Sequence, residues 1–241
     1  MSFLAPRTVK HFAGDYCRAG VSHAKGPGEG ILFSAGFLTL MKCLTLLASL
    51  ALLAIANGVL AQDPTSAPQR AIFAGGCFWC MQPPFDHTDG VISTVVGYAG
   101  GREENPTYKQ VSAGETSHRE SIEVTYDPAK ISYEKLLEIF WHNINPVQPD
   151  GQFNDRGDQY TTAIFYTTEA QRTAAELSKQ QLGASGKFKH PIATAVLPAG
   201  KFWPAEEYHQ KYYVKNPLAY RFYRFASGRD AYLSATWGGA H

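Results

Sequence analysis

Two cysteines at a spacing of three carry the first chemical signal in this sequence. Cys77 and Cys80 stand in the segment GGCFWCMQ, on either side of Phe78 and Trp79. A deprotonated thiol is a strong nucleophile, and two neighbouring thiols can form and release a disulfide. The segment therefore indicates thiol redox chemistry, performed next to bulky aromatic rings.

Few other cysteines are present to support a different use of sulfur. The chain has four, and two of them, Cys17 and Cys43, fall in the first 61 residues, which we expect to be removed. Cys77 and Cys80 are then too few to make a disulfide framework for a domain of this size. They could form one local bond that is readily broken.

The first 61 residues have the character of a targeting region. Residues 41–61 begin with Met41 and Lys42, continue through an apolar run and end in small residues, which is typical of a secretory signal peptide. We expect residues 1–40 to be a non-structural extension, or else the transit part of a two-part organellar presequence. These features predict export to the periplasm, with an organelle lumen as the alternative. An uncleaved signal would instead anchor the protein in a membrane, although the apolar run is shorter than the roughly 20 residues that span a bilayer.

Residues 62–241 are predicted to form a single domain. Leaving the leader aside changes the formal net charge from +1 to −2, a balance that does not favour nucleic-acid binding. The alternation of strands and helices predicts an α+β fold, with a ferredoxin-like mixed sheet and helices packed mainly on one face. A long polar loop, residues 145–159, is expected to line the site. The predicted strands are RAIFAGG, GVISTVVGYAGG, ESIEVTYDP, QYTTAIFYTT and PIATAVLP. One predicted helix begins at Cys77, and the others lie in NPTYKQVSAG, SYEKLLEIFWHNINP, EAQRTAAELSKQQLG and PAEEYHQKYYVKNP.

Local signals indicate where some of these helices begin and end. We expect Asn105 and Thr168 to cap helices, and Gly183 to lie just past the end of one. Pro83 and Pro84 are expected to limit the helix that begins at Cys77 to about one or two turns, because each removes an N–H and clashes with the preceding turn.

The surroundings of Cys77 favour a reactive sulfur. Two glycines precede it at the end of a strand, and backbone N–H groups at the start of a helix favour a thiolate. We expect at least one of Phe78 and Trp79 to face outward as the wall of an apolar pocket. The alternative is that both rings serve core packing.

Five separated motifs resemble one known family. GCFW, GYAGG, NPTY, the HRE of SHRESIEV, and GDQY occur in order between Ala71 and Pro217, and they are similar to those of the A-type peptide methionine sulfoxide reductases. The resemblance implies reduction of methionine-S-sulfoxide, free or in proteins, as a repair of oxidised proteins. It further implies recycling by a thioredoxin-like dithiol, with no bound cofactor. Apart from the resemblance, a monomer is the default expectation for a domain of this size, and we expect no metal.

The resemblance also implies roles for individual residues. Cys77 matches the nucleophile, which takes the oxygen and becomes a sulfenic acid. Glu120 matches the acid, and it must be buried for its pKa to rise enough to keep a proton near neutral pH. Tyr108 and Tyr160 match the two hydroxyl donors to the sulfoxide oxygen.

Three further residues are assigned to substrate binding by the same resemblance. Phe78 and Trp79 match the pocket for the substrate methyl group. Asp155 matches a residue that holds the substrate backbone or a water, and its alternative is a simple turn former.

Cys80 departs from the commoner GCFWG pattern, which has glycine at this place. Since no cysteine follows it in the chain, we expect Cys80 to resolve the Cys77 sulfenic acid as a local disulfide. The alternative is a buried, inert Cys80 with an external thiol as the resolving group.

Two other functions are compatible with a C-x-x-C segment. One is a thioredoxin-like disulfide exchanger, although Phe78 and Trp79 would hinder the approach of a protein disulfide. The other is a structural zinc site completed by His87 and a second histidine, although no second pair at metal spacing is present. We expect His118 and His209 to be structural histidines.

Overall fold

A six-stranded mixed sheet organises the residues that the structure, a computed structural model, describes: 67–238. The predicted extension at residues 1–40 and signal peptide at 41–61 lie outside the described residues. In chain order the elements are β1 (Gln69–Gly75), α1 (Phe78–Asp86), β2 (Val91–Ala99), α2 (Tyr108–Ser112), β3 (Arg119–Tyr126), α3 (Tyr133–Trp141), β4 (Gly151–Gln152), β5 (Asp155–Arg156), β6 (Thr162–Tyr166), α4 (Glu169–Ala184), β7 (Ala195–Pro198), β8 (Trp203–Pro204), α5 (Tyr212–Lys215), α6 (Pro217–Ala226) and α7 (Arg229–Trp237), with 3-10 turns at Asp158–Tyr160 and Glu207–His209.

The strand order is β7-β6-β1-β3-β2-β8, and only the β6–β7 pair is parallel. Side chains alternate between the two faces of a strand, so Glu120 lies on the same face of β3 as Ile122 and Val124. Those two residues belong to the main apolar core. The start of β3 therefore directs a carboxyl group to the face that holds the core.

Helices cover one face of the sheet. The core on that face contains Met81 and Phe85 of α1, Leu136 and Phe140 of α3, and Ala175 of α4. On the opposite face, a smaller cluster from β1 and β6 is covered by residues of the segment between β7 and β8. The expected α+β mixed sheet, with helices mainly on one face, is confirmed.

Helix capping follows the sequence signals only in part. Thr168 caps α4 as predicted, with its side chain accepting a hydrogen bond from the Gln171 backbone N–H. The prediction of Asn105 as a cap is wrong. Thr107 caps α2 instead, because its side chain forms a reciprocal capping box with Gln110. Gly183 lies within α4 rather than beyond its end.

The segment after β8 is not the single helix that the sequence predicts. It divides into the turn Glu207–His209 and the short helix α5, because Lys211 between them adopts a left-handed conformation with φ of +52°. Two further helices, α6 and α7, follow without having been predicted. Among residues 67–238, no helix combines the length and hydropathy needed to cross a bilayer.

Candidate active site

Cys77 and Cys80 lie on the first turn of α1. Gly76, with φ of +80°, turns the chain out of β1, and a Cβ at this position would come within 2.6 Å of the Gln152 side chain. Cys77 caps the helix, and the Cys80 backbone N–H donates to the Cys77 carbonyl at 3.1 Å. Both thiols are free, and their residues are only 5% and 0% exposed. The two sulfurs therefore share one buried helical turn.

The helix continues through Pro83 and Pro84 to Asp86, so its 9 residues make about two and a half turns, slightly more than the one or two turns that the prolines predict. A proline at position 84 cannot donate to the carbonyl of Cys80 four residues earlier. Arg224 of α6 supplies the missing donor, with Nη1 at 3.3 Å from that carbonyl. A residue distant in the chain thus replaces a helical hydrogen bond beside the second cysteine.

The two thiols have different pKa values. Burial raises the pKa of Cys77, and its hydrogen bond with Cys80 and the charge of Glu120 raise it further. The hydrogen bond from Cys77, together with the charges of Arg229 and Arg224, lowers the pKa of Cys80 to about 7. The sequence predicts a thiolate at Cys77, whereas burial favours the neutral thiol at this position and the anion is favoured at Cys80 instead.

Glu120 is buried beside the same helical turn, with 2% of its surface exposed. Its Oε2 accepts a hydrogen bond of 3.0 Å from the backbone N–H of Phe78. Burial raises the pKa of Glu120 to about 8, although the Phe78 N–H acts in the opposite direction. Near neutral pH the carboxyl group is mostly protonated and can donate a proton next to Cys77.

Tyr108 and Tyr160 are half-buried near these groups. The pKa of each phenol is raised, first by burial and then by the charges of Glu120 and Cys77. Neither hydroxyl has a hydrogen-bond partner within the part of the chain that the structure describes. Two neutral O–H donors are therefore available to an oxygen atom brought to this site.

Phe78 and Trp79 occupy different environments. Phe78 is fully buried, with its ring 5.1 Å from that of His209 and 6.4 Å from that of Tyr108. Trp79 is half-buried, donates through Nε1 to His209 Nδ1 at 3.0 Å, and stacks on Tyr212 at 3.9 Å. Of the two rings, that of Trp79 therefore has a face near the surface, and His209 contacts both.

Asp155 is engaged by a residue that sequence reasoning missed. Tyr223 of α6 donates through its hydroxyl to Asp155 Oδ2 at 2.6 Å, and the same hydroxyl lowers the pKa of the Cys77 thiol, against the larger effect of burial. Substrate binding by Asp155 stays a prediction, since one of its oxygens is taken by Tyr223. The sequence signal that could have identified Tyr223 is the helical spacing of Tyr220, Tyr223 and Arg224. The motifs that carried the resemblance ended before them, at Pro217.

Two remaining predictions concern histidine and metal. His118 is buried, with Nδ1 accepting from the Gly101 backbone N–H and Nε2 at 2.8 Å from the Glu103 carbonyl, which is a structural arrangement. Within residues 67–238, no group of three or more His, Cys, Asp or Glu side chains is arranged to hold a metal ion.

Comparisons with known proteins agree on one family. A family model described as "Peptide methionine sulfoxide reductase" matches residues 69–240. A peptide methionine sulfoxide reductase MsrA of Halalkalibacterium halodurans is 56% identical over 170 residues, covering 70% of this chain and 97% of that protein. The MsrA of Bacillus subtilis is 52% identical over 168 residues, covering 70% and 95%.

Solved structures agree with the sequence comparison. The crystal structure of Mxr1 from Saccharomyces cerevisiae in reduced form superposes with a TM-score of 0.59 at 32% identity, covering 62% of this chain and 86% of that one. Methionine sulfoxide reductase A of Corynebacterium diphtheriae gives a TM-score of 0.56 at 34% identity, covering 66% and 78%. The family match extends past Pro217 and includes the helix that carries Tyr223.

Proposed function

Because this chain belongs to the A-type peptide methionine sulfoxide reductase family, and so is an oxidoreductase that reduces methionine sulfoxide, we propose that it acts on the S epimer, free or in proteins, and repairs oxidised proteins. The observation that carries the mechanism is the buried, mostly protonated Glu120 bonded to the backbone of the residue after Cys77. A sulfoxide oxygen is a poor leaving group until it is protonated, so an acid must stand beside the attacking sulfur.

The first proposed step moves oxygen from the substrate to Cys77. As the Cys77 sulfur attacks, its proton passes to the Cys80 sulfur, with which it is hydrogen-bonded. Glu120 gives its proton to the sulfoxide oxygen. The substrate S–O bond breaks, the substrate sulfur keeps the electron pair and leaves as methionine, and Cys77 holds the hydroxyl as a sulfenic acid. Cys77 is oxidised by two electrons and the substrate sulfur is reduced by two.

Orientation of the substrate is assigned to the hydroxyls and rings around Cys77. The unpartnered hydroxyls of Tyr108 and Tyr160 donate to the oxygen as negative charge develops on it. Phe78 and Trp79 receive the methyl group, because an apolar wall favours it over water. Fixing the oxygen and the methyl group at once leaves one epimer with its sulfur facing Cys77, which is the basis for the proposed preference.

The second proposed step closes a disulfide between Cys77 and Cys80. Glu120, which the first step leaves as a carboxylate, takes the proton from Cys80. The Cys80 anion attacks the sulfenic sulfur, the S–S bond forms as the S–O bond breaks, and the departing hydroxide takes that proton from Glu120 and leaves as water. The two cysteines lie on the same turn of α1, at N-cap and third helical position. If an external thiol resolved the sulfenic acid instead, Cys80 would stay reduced.

A thioredoxin-like dithiol is proposed to reopen the disulfide. Thiol–disulfide exchange with such a partner returns both cysteines to the thiol state and leaves the disulfide on the partner. The reaction then needs no bound cofactor, because cysteine sulfur carries the electrons throughout. With the predicted signal peptide, the protein would work as an exported, periplasmic monomer that receives its electrons from a membrane-fed dithiol carrier.

Turnover of separated sulfoxide epimers by the wild type, Cys77→Ser and Cys80→Ser with a small dithiol tests this function. The wild type is expected to reduce the S epimer and leave the R epimer, and Cys77→Ser is expected to be inactive. Equal use of both epimers, or activity that survives loss of the Cys77 sulfur, would overturn the proposal.

A further inference from the structure

Two arginines of the C-terminal helical pair, α6 and α7, lie against the helix that carries both cysteines. Arg224 donates through Nη1 to the Cys80 carbonyl at 3.3 Å. Arg229, only 1% exposed, donates through Nη2 to the Gly75 carbonyl at 3.0 Å, and its Nη1 contacts the sulfur of Met81 and the Asn143 carbonyl. Two positive charges are thus held within a buried part of the site that already contains a carboxyl group and two thiols.

The guanidinium group of Arg224 is hydrogen-bonded on two sides. The missing N–H of Pro84 leaves the Cys80 carbonyl in need of a donor, and Arg224 provides it. On its other side, the Arg224 guanidinium pairs with Asp230 through Nε and Nη2, each at 2.7 Å from Oδ1. These bonds fix the orientation of the guanidinium group and place its charge beside the Cys80 backbone.

The charged and titratable groups around Cys80 either favour or disfavour an anionic sulfur at this position. Arg224 and Arg229 favour an anionic sulfur, whereas Asp155 disfavours it. Of the remaining groups, the Cys77 thiol donates a hydrogen bond that favours the anion. Glu120 is mostly neutral near pH 7, and the Tyr220 phenol is also neutral, since its pKa is raised. Two cations therefore oppose the Asp155 carboxylate, and Asp230, which pairs with Arg224, offsets part of the charge of that arginine.

We propose that Arg224 is a positioning residue for disulfide closure, in which its guanidinium keeps the Cys80 sulfur anionic beside Cys77. This inference rests on the proposed function, because it assigns a helper to the resolving cysteine. In the step concerned, Cys80 has passed its proton to the Glu120 carboxylate. The Cys80 anion attacks the sulfenic sulfur of Cys77, the S–S bond forms, the S–O bond breaks, and the hydroxide takes the proton from Glu120 and leaves as water. Arg224 acts through Cys80 and touches no substrate atom.

Removing the charge of Arg224 should change the rate of disulfide closure in a pH-dependent way. In Arg224→Met, the pKa of Cys80 is expected to rise by about 1 unit, which leaves roughly tenfold less thiolate below the transition. A more basic thiolate is also about threefold more nucleophilic, since nucleophilicity follows pKa with a slope of about 0.4–0.5. Relative to the wild type, closure should therefore be roughly threefold slower near pH 6 and roughly threefold faster near pH 9.

The experiment follows one turnover by quenched flow with methionine-S-sulfoxide and no reductant. Release of methionine reports the first step, and loss of both free thiols reports closure. The thiolate absorbance of the reduced enzyme, titrated with pH, gives the transition of the cysteine pair directly. Arg224→Lys retains the charge and should keep the wild-type pH dependence, and Arg221→Gln, exposed on the same helix, serves as the matched control.

Each outcome decides between the two proposals. If the wild type releases methionine without losing both thiols, the proposed role of Cys80 fails and the role of Arg224 fails with it. If the wild type closes the disulfide and Arg224→Met shows an unshifted profile, or a uniform slowing at all pH values, only the role of Arg224 is overturned. Should Arg224→Met not fold, Asp230→Asn decides, because removing the opposing carboxylate should move the transition to lower pH; no movement or an upward one contradicts the inference.

Discussion

Replacing Glu120 with Gln removes one proton from the site and changes little else. The glutamine side chain has the same shape, and its carbonyl oxygen can accept the Phe78 N–H that now binds Oε2 at 3.0 Å. What is lost is the carboxylic acid proton, which near pH 7 is present in about nine of ten molecules if the pKa is about 8. The variant therefore separates proton donation from packing.

The size of the kinetic effect follows from the role of an acid. Proton transfer by a positioned side chain typically contributes about 10²- to 10⁴-fold to a rate, so kcat/KM at pH 7 should fall by roughly that factor. The wild type should lose activity as pH rises through about 8, because Glu120 then ionises. That limb of the pH profile should be absent from the small activity that Glu120→Gln retains.

Glu120→Gln should lower activity but raise the stability of the folded protein at high pH. The pKa of Glu120 is raised from 4.5 to about 8 in the folded protein, so the native state binds more protons than the unfolded state between these values. Stability contributed by this group is present below pH 4.5 and is lost as pH rises through 8. The cost of the buried charge above pH 8 is at most about 5 kcal/mol, so Glu120→Gln should melt at a higher temperature than the wild type at pH 9 and at a similar one at pH 4.5.

The assay combines kcat/KM with thermal melting across the pH range from 4.5 to 9. A Glu120→Gln variant with nearly full activity and an unchanged alkaline limb would refute the assignment of the acid. A variant that is less stable than the wild type at pH 9 would refute the claim that burial holds the carboxyl group neutral.

Three other substitutions test separate parts of the site. Cys80→Ser should release one equivalent of methionine without reductant and leave a sulfenic acid that dimedone traps; a variant that still loses two thiols per turnover would exclude Cys80 from resolution. Tyr160→Phe should lower kcat/KM by roughly 10²-fold with little change in melting temperature, because its hydroxyl has no partner within residues 67–238; unchanged kinetics would remove Tyr160 from the oxygen site. Tyr223→Phe should destabilise the fold by about 1 to 3 kcal/mol, since it leaves Asp155 without its 2.6 Å donor, and a melting temperature equal to that of the wild type would show that this bond is not required.

The regular elements were predictable where a short stretch of sequence contains its own signal. The alternation in β3 and the apolar stripe of α3 each reflect one buried face, and Ser132 and Thr168 cap the helices that follow them. The errors occurred where a signal competes with distant contacts. The helix across Pro83 and Pro84 persists because Arg224 replaces a lost donor, a contact that joins positions 144 residues apart.

Residues of the site could be predicted only where they lie within the motifs that resemble the family. Composition does not distinguish Tyr108 or Tyr160 from the other tyrosines, of which the chain has 13 in all, and the family resemblance was needed to select them. Tyr223 and Arg224 were missed because they lie on a helix beyond those motifs, and their importance arises from proximity to Cys77 and Cys80 in the fold. The difference in pKa between the two cysteines was also unpredictable, since it depends on burial and on charges from α6 and α7.

The most direct test of the account is to find where the oxygen goes. The Cys80→Ser variant is mixed with one equivalent of methionine-S-sulfoxide, quenched with dimedone, and digested for mass spectrometry. We predict that methionine appears in equal amount to a dimedone adduct on Cys77, because that sulfur has taken the oxygen as a sulfenic acid. Release of methionine with Cys77 unmodified would contradict the account.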